Sequence, residues 1–152
     1  MLISACLLGE NCRYYGNNCG KQNLINANVE WIPICPEIEG KLETPRPPSE
    51  LQGTAEDILL GKSNIVNSKR EDVTKHYIDG AKICLEISQQ ENIYLAILKS
   101  RSPSCGLGKV YDGSFSNNLK DGDGVFAYLC KQNGIKVISS DDKMQIQKII
   151  DI

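Results

Sequence analysis

Three cysteines each follow a short apolar run at the point where a turn begins. They are Cys6 after Leu2–Ala5, Cys35 after Val29–Ile34, and Cys105, in Ser-Pro-Ser-Cys-Gly, after Ile93–Leu98. Each run has the composition of a strand, and the carboxyl ends of parallel strands share one sheet edge, where open α/β sheets bind ligands. Three thiolates that converge there suit a soft metal or an iron–sulfur cluster. Burial in the core is the alternative for each cysteine taken alone.

The spacing of these cysteines is unlike that of known local motifs. They are 29 and 70 residues apart, which matches neither a zinc knuckle nor a ferredoxin. Only the fold can therefore assemble this site. Cys12 lies in a loop rich in Gly and Asn, as does Cys19; it is either a further ligand, a thiol that assists or blocks the site, or an incidental loop residue, which we expect. Cys84 and Cys130 occupy apolar helical positions and are expected in the core.

Four polar residues near these cysteines could act on a substrate. Glu37 comes two residues after a candidate ligand and is suited to general acid/base catalysis, unless it is a solvated loop acid. Ser102 and Ser104 flank Pro103, where their hydroxyls could bind a substrate or a cluster sulfur, or simply form a turn. Arg46, between two prolines, could hold an anion or order its own loop.

Several function classes are excluded or disfavoured. His76 is the only histidine and falls on the outer side of a predicted helix, so catalytic triads and zinc sites with two histidines are excluded. The chain has no P-loop and no Gly-x-Gly-x-x-Gly dinucleotide motif. Its net charge of −2 argues against a nucleic-acid surface.

Cysteine content and hydropathy favour a cytoplasmic protein. Seven cysteines occur without a recognisable signal peptide, which indicates a reducing compartment. No apolar run approaches the ~18 residues of a membrane span. We therefore expect no membrane partner.

The elements that must position these residues alternate along the chain. Strands are predicted at Leu2–Ala5, Val29–Ile34, Ile93–Leu98 and Ile135–Ile138, and helices at Lys21–Ala27, Asp72–Gln89, from Asp121 or Asp123 to Asn133, and from Asp141 onward. This alternation predicts an α/β fold: a single three-layer domain over residues 1–152, with a mostly parallel sheet and helices on both faces, Rossmann-like but without the dinucleotide motif.

Packing follows from the helical periodicity. In the second helix, one face carries Val73, Tyr77, Ala81, Cys84 and Ser88, while Gly80 would allow close packing on the sheet. Met144, Ile146 and Ile149 are expected to point inward from the last helix.

Three connecting segments are harder to assign. Residues 36–53 contain four prolines, which predicts an ordered loop or flap with neither helix nor central strand. Residues 57–66 are compatible with a hairpin that turns at Gly61 and Lys62. Residues 99–120, with three glycines, form a second functional loop.

Beyond these local patterns, the motifs resemble a known family. They are Ser4-Ala-Cys-Leu-Leu-Gly9, Cys35-Pro-Glu37, Thr44-Pro-Arg-Pro-Pro-Ser-Glu50, Leu98-Lys-Ser-Arg-Ser-Pro-Ser-Cys-Gly106 and Tyr111-Asp-Gly113. In this order they are similar to the domain of unknown function 523, a family that includes thiouracil desulfidase. That enzyme holds a [4Fe-4S] cluster on three cysteines and leaves one iron open. Tyr15-Gly16 and Lys41-Leu-Glu43 depart from the family pattern, and these differences concern the substrate pocket.

The resemblance implies roles for particular residues. Cys6, Cys35 and Cys105 would bind the [4Fe-4S] cluster, whereas the family often has an apolar residue at the position of Cys12. Glu37 would be the acid/base, and Ser102 would orient the substrate. Ser104 and Arg46 are further candidate substrate-binding residues.

The expected function is non-redox desulfuration of a small thiolated heterocycle such as a thiouracil, C=S to C=O, with sulfide leaving to the open iron. Two alternatives remain. One is sulfur transfer to another acceptor, such as a tRNA base, against which the acidic balance argues. The other is a non-catalytic cluster or zinc scaffold, or a redox sensor built on Cys12 and Cys105. The oligomeric state is not predicted.

Overall fold

A computed structural model describes residues 1–20 and 29–151 of the chain. Its strands are β1 (Leu2–Ser4), β2 (Ile32–Ile34), β3 (Ser49–Leu51), β4 (Ile65–Asn67), β5 (Leu95–Leu98), β6 (Lys109–Tyr111), β7 (Leu119–Asp121) and β8 (Lys136–Ser139). Its α-helices are α1 (Pro36–Glu39), α2 (Ala55–Leu59), α3 (Thr74–Gln90), α4 (Val125–Gln132) and α5 (Lys143–Ile150). The predicted helix at Lys21–Ala27 lies outside the described residues.

A parallel four-stranded sheet forms the centre of the molecule. Its strand order is β2-β1-β5-β8, and every neighbouring pair is parallel. The chain leaves β1 toward β2 on one side and later returns to β5 on the other, so the topological switch point lies at the carboxyl ends of β1 and β5. All four predicted strands of this sheet are confirmed, each with shifted or shortened ends.

Helices cover both faces of this sheet. Side chains alternate along a strand, so Leu2 packs into a core shared with α3 and α4, whereas Ile3 packs into a second core that includes Ile146 of α5. The α/β prediction with helices on both faces is therefore confirmed. Met144 is 74% exposed and does not point inward as predicted, because α5 turns only its Ile146 side fully toward the sheet.

The proline-rich segment contains more regular structure than predicted. Pro36 begins α1, where its missing N–H removes no helical hydrogen bond. The exclusion of a helix from residues 36–53 was therefore wrong. β3, in the same segment, pairs with β4 in a separate antiparallel sheet.

The other two connecting segments also differ from expectation. Residues 57–66 are not a hairpin: α2 begins in front of them at Ala55, with the Thr54 side chain capping the N–H of Asp57. Gly61 does lie in a turn, with φ +78°, but this turn follows a helix that Thr54 caps and does not connect two strands. Within the predicted loop 99–120, β6 and β7 form an antiparallel hairpin.

Two glycines allow α1 and α3 to approach closely. A Cβ at Gly80 would lie 1.8 Å from the carbonyl oxygen of Pro36, and one at Gly40 would lie 2.0 Å from that of His76. Gly80 therefore packs against α1. The prediction from its position in the helix, that it packs on the sheet, was wrong. The exposed His76 ring places Nδ1 2.7 Å from the carbonyl oxygen of Gly40. These contacts fix the segment that carries Cys35 and Glu37.

The buried face of α3 is as predicted. Val73, Tyr77, Ala81, Cys84 and Ser88 are all buried, and Cys130 of α4 is fully buried with Cys84 in the same core. Among the described residues, no helix is both long and apolar enough to cross a membrane.

Candidate active site

A cavity of about 460 Å³ opens at the carboxyl edge of the parallel sheet. The segments that follow β1, β2 and β5 all contribute to its wall. Residues from the sequence prediction that line it are Cys6, Cys35, Cys105, Glu37, Ser102 and Ser104, together with Cys12. The fold therefore brings together side chains that are up to 99 residues apart in the chain, as the argument from parallel strand ends requires.

Cys6 lies in a 3₁₀ turn, Ala5–Leu7, directly after β1. The Cys19 backbone N–H donates to the Cys6 carbonyl over 3.0 Å, and the two Sγ atoms are 3.5 Å apart. Hydrogen bonds with Cys12 and Cys19, together with burial, raise the pKa of the Cys6 thiol. The hydrogen bond between Cys19 and Cys6 lowers the pKa of Cys19 to about 6.

We expected Cys12 to be an incidental loop residue, but the structure places it in the same cysteine group. It is buried, and its thiol contacts both Cys35 and Cys6. Hydrogen bonds from these two thiols lower the pKa of Cys12, while the bond to Cys12 raises that of Cys35. The sequence pattern missed this because Cys12 follows no strand; the loop after Cys6 folds back over the sheet edge.

Cys105 is held in the turn after β5 by Ser102. The Ser102 Oγ accepts the backbone N–H groups of Ser104 and Cys105, each at 3.1 Å. Burial raises the pKa of the Cys105 thiol to about 12, and hydrogen bonds from Ser4 and Ser102 act in the opposite direction. Ser102 thus shapes the cysteine turn and also lines the cavity.

Ser104 carries a buried hydroxyl. Its residue is 1% exposed, and its Oγ atom has no hydrogen-bond partner among residues 1–20 and 29–151. Leaving a buried hydroxyl unpaired typically costs about 1–3 kcal/mol. Because Ser104 also lines the cavity, a group bound there could supply the missing partner.

Glu37 and Arg46 form a largely buried ion pair. The Arg46 Nη2 atom lies 2.6 Å from Glu37 Oε2, and their side chains are 5% and 17% exposed. Arg46 also donates to the carbonyl oxygens of Cys12 (2.8 Å) and Glu43 (3.1 Å). Glu37 is therefore not a solvated loop acid. Arg46 is not among the residues that line the cavity, and its contacts join its own loop to the loop that carries Cys12. A direct role of Arg46 in substrate binding stays a prediction.

Tyr77 is a site residue that the sequence pattern assigned only to the core. It is 2% exposed yet lines the cavity, close to Ser49 and Glu37. Burial, followed by the nearby Glu37 charge, raises its pKa well above the usual value. The available signal was chemical: a tyrosine at a buried helical position needs a partner for its hydroxyl.

Within residues 1–20 and 29–151, no three His, Cys, Asp or Glu side chains are arranged around a single metal ion. A cubane cluster distributes its thiolate ligands over different irons, so they need not meet at one point. The cavity between the cysteines is compatible with thiolates that bind different irons of one cluster.

Comparison with known proteins identifies the family. The model of the 2-thiouracil desulfurase family matches residues 1–142. The chain belongs to this family. The resemblance to the domain of unknown function 523 is confirmed, because the chain matches a solved structure of the [4Fe-4S]-dependent thiouracil desulfidase TudS (DUF523Vcz). The TM-score is 0.86 at 34% identity, covering 99% of this chain and 97% of the other.

A curated relative is similar over nearly the same length. The uncharacterized protein YbbK of Bacillus subtilis (strain 168) is 41% identical over 145 residues, which are 93% of this chain and 96% of YbbK. The family and the structural match together identify this protein as an enzyme.

Proposed function

We propose that this enzyme replaces the sulfur of a small thiolated pyrimidine, such as a thiouracil, by oxygen from water, using a [4Fe-4S] cluster. The observation that carries the proposal is the convergence of Cys6, Cys35 and Cys105 with Glu37 on one cavity in a member of the 2-thiouracil desulfurase family. The solved relative TudS is a [4Fe-4S]-dependent thiouracil desulfidase. The high cysteine content of the chain, seven residues in 152, supports action in a reducing cytoplasm.

The residues present fit such a cluster. Thiolates are the ligands that iron–sulfur clusters require, and Cys6, Cys35 and Cys105 each come from the end of a different parallel strand. The buried hydroxyl of Ser104, which has no partner within the described part of the chain, is a donor for a cluster sulfur or a substrate atom. When bound on three cysteines, the cluster supplies a Lewis-acidic iron with an open position that favours a soft sulfur ligand.

Glu37 performs the proton transfers. Its carboxylate takes a proton from the attacking water, and the resulting acid gives it to the sulfur as the carbon–sulfur bond breaks. The proton of the remaining hydroxyl then passes through the same carboxylate to the released HS⁻, which leaves as H₂S while the C=O bond forms. The reaction is C=S plus H₂O giving C=O plus H₂S, so no electrons are exchanged and no redox cofactor is needed. The ion pair with Arg46 holds the Glu37 carboxylate in one orientation, which general acid/base catalysis requires. The Ser102 hydroxyl orients the ring.

Anaerobic loading of the protein tests this function. The loaded protein should contain about four irons and four sulfides per chain, and should convert 2-thiouracil to uracil with release of sulfide. Single Cys→Ser changes at positions 6, 35 and 105 should each remove most of the iron and the activity.

Two variants separate ligands from other cysteines. Cys12→Ser should retain iron, because the proposed ligands are the three cysteines at the strand ends, and Cys130→Ser is the control for a buried thiol outside the cavity. Iron loss in the Cys12 variant equal to that in the Cys35 variant would contradict the three-cysteine assignment. A full cluster without thiouracil turnover would indicate a scaffold or sensor.

A further inference from the structure

Part of the cavity wall comes from outside the parallel sheet. The turn between β6 and β7 contributes Phe115 and Asn117, and Tyr111 lies at the end of β6. None of these residues has a role in holding the cluster or moving protons. An aromatic ring at the wall of a ligand cavity is a candidate for contact with a planar substrate.

The backbone of this turn is held in an unusual conformation. Phe115 has φ +56° and Asn117 has φ +61°, both in the left-handed region. Asparagine tolerates this region, whereas a bulky residue such as phenylalanine adopts it rarely. Surrounding contacts must therefore maintain the conformation.

Glu50 provides the principal contact of this kind. Its residue is 9% exposed, and its Oε1 atom accepts the N–H groups of Gly113 (2.9 Å) and Phe115 (3.2 Å). Two charge-assisted hydrogen bonds to consecutive parts of one turn define its backbone strongly. A buried carboxylate on β3 thereby fixes the place of Phe115.

Further contacts attach the hairpin to β3 and support the ring. Gln52 Nε2 donates to the Gly113 carbonyl over 3.2 Å, and Lys120 Nζ donates to the Gly53 carbonyl over 3.2 Å. The guanidinium carbon of Arg70 lies 5.3 Å from the centroid of the Phe115 ring, within cation–π range. The ring is thus supported by the protein at the wall of the cavity.

We propose that Phe115 stacks on the heterocyclic ring of the substrate, and that Glu50 is the positioning residue that sets this contact. The substrate class is then a planar, unsaturated thioheterocycle, in preference to a saturated thioamide that carries the same C=S group. This inference rests on the proposed desulfuration for the identity of the reacting group. The stacking contact itself depends only on the cavity wall and a planar ring.

Phe115→Leu tests the stacking contact with two substrates. The KM for 2-thiouracil should rise about 3- to 10-fold, the size expected for loss of an aromatic pair, while kcat changes less than twofold. The KM for the saturated 5,6-dihydro analogue should stay the same, and iron and sulfide content should match the wild type. Phe115→Tyr, which keeps the ring, is the matched control. An equal change for both compounds, or none for either, would overturn the stacking role.

Glu50 is tested by a pair of variants. Glu50→Ala should reproduce the selective rise in KM of Phe115→Leu, whereas Glu50→Gln, which keeps an acceptor oxygen, should remain near the wild type. An unchanged KM in Glu50→Ala, or an equal loss in both Glu50 variants, would refute the positioning role.

A binding measurement separates failure of this inference from failure of the proposed function. If the loaded wild type turns over neither compound, the desulfuration proposal fails. Calorimetric titration of the same protein with uracil and with dihydrouracil still tests whether Phe115 stacks on a planar ring. Selective weakening of uracil binding in Phe115→Leu supports stacking, and unchanged uracil affinity contradicts it.

Discussion

Glu37 differs from an ordinary surface acid in its immediate neighbours. The Arg46 guanidinium contacts its carboxylate, the buried Tyr77 lies nearby, and the side chain faces the cavity with the cysteines. Such contacts restrict the rotamers of the side chain and keep the carboxylate in one place. This arrangement suits a residue that transfers protons, because the transfer distance must be reproducible.

Glu37→Gln should separate chemistry from assembly. Glutamine keeps an acceptor oxygen for Arg46 but cannot exchange a proton, so we expect iron and sulfide at wild-type levels and a roughly 10²–10⁴-fold lower kcat for thiouracil. The measurement is steady-state turnover of the anaerobically loaded protein. Glu39→Gln, an exposed acid on the same short helix, is the matched control. Turnover within a few-fold of the wild type would remove Glu37 from the proton transfer.

At the level of elements, the contact between α1 and α3 positions the second candidate ligand. α1 has four residues and begins directly after Cys35, so its own hydrogen bonds cannot fix its direction. The close approach at Gly40 and Gly80 does so instead, with backbone packed against backbone. The long helix thereby acts as a rigid support for Cys35 and Glu37.

Gly80→Ala should disturb this support. The new Cβ would lie 1.8 Å from the Pro36 carbonyl oxygen, so α1 must move. Overpacking of this kind typically costs about 1–3 kcal/mol, with larger values at backbone contacts. We expect a lower free energy of unfolding in denaturant titration and reduced iron content after loading.

Gly61→Ala is the control for the Gly80 variant. Gly61 has φ +78° and open space around its Cα, so alanine there strains the backbone without touching α1. It should lower stability by about 1 kcal/mol and leave iron content unchanged. Equal iron loss in both variants would show that stability in general, and not the α1 contact, limits loading.

On the scale of the whole molecule, the site brings together the segments that follow three strands of the sheet. The candidate ligands follow β1, β2 and β5, while the core packs on α3, α4 and α5. A cluster bound to all three would cross-link the sheet edge and add the free energy of its binding to the stability of the folded state. The stabilisation should be local, since the helices already have buried cores.

Hydrogen exchange can measure this distribution. Anaerobic removal of the cluster should speed amide exchange in residues 5–20, 35–46 and 99–106 and lower the unfolding temperature, while exchange in α3 and α4 changes little. Apo and loaded protein from one preparation provide the comparison. Uniform acceleration across α3 and α4 would indicate that the cluster supports the entire fold and not its sheet edge.

The amino-acid sequence by itself determined the parallel sheet and the convergence of its strand ends. Apolar runs that end at Cys6, Cys35 and Cys105 define both where strands stop and which side chains follow them, because these are local properties of the chain. The buried face of α3 could also be predicted from the sequence, since its apolar residues recur with the 3.6-residue period of a helix. That residues 1–152 form one domain, and that these three cysteines are the ligands, stay predictions.

Only the tertiary structure decided which neighbours these residues have. Cys12 and Tyr77 reach the cavity through a folded-back loop and a helix from another part of the chain, and no local pattern encodes such contacts. The role of Gly80 was also decided there, because a close approach depends on the element that packs against it. Phe115 is the clearest case: its left-handed backbone is held by Glu50, 65 residues away. Long-range packing and hydrogen bonding, which have no sequence period, determined the composition of the cavity wall.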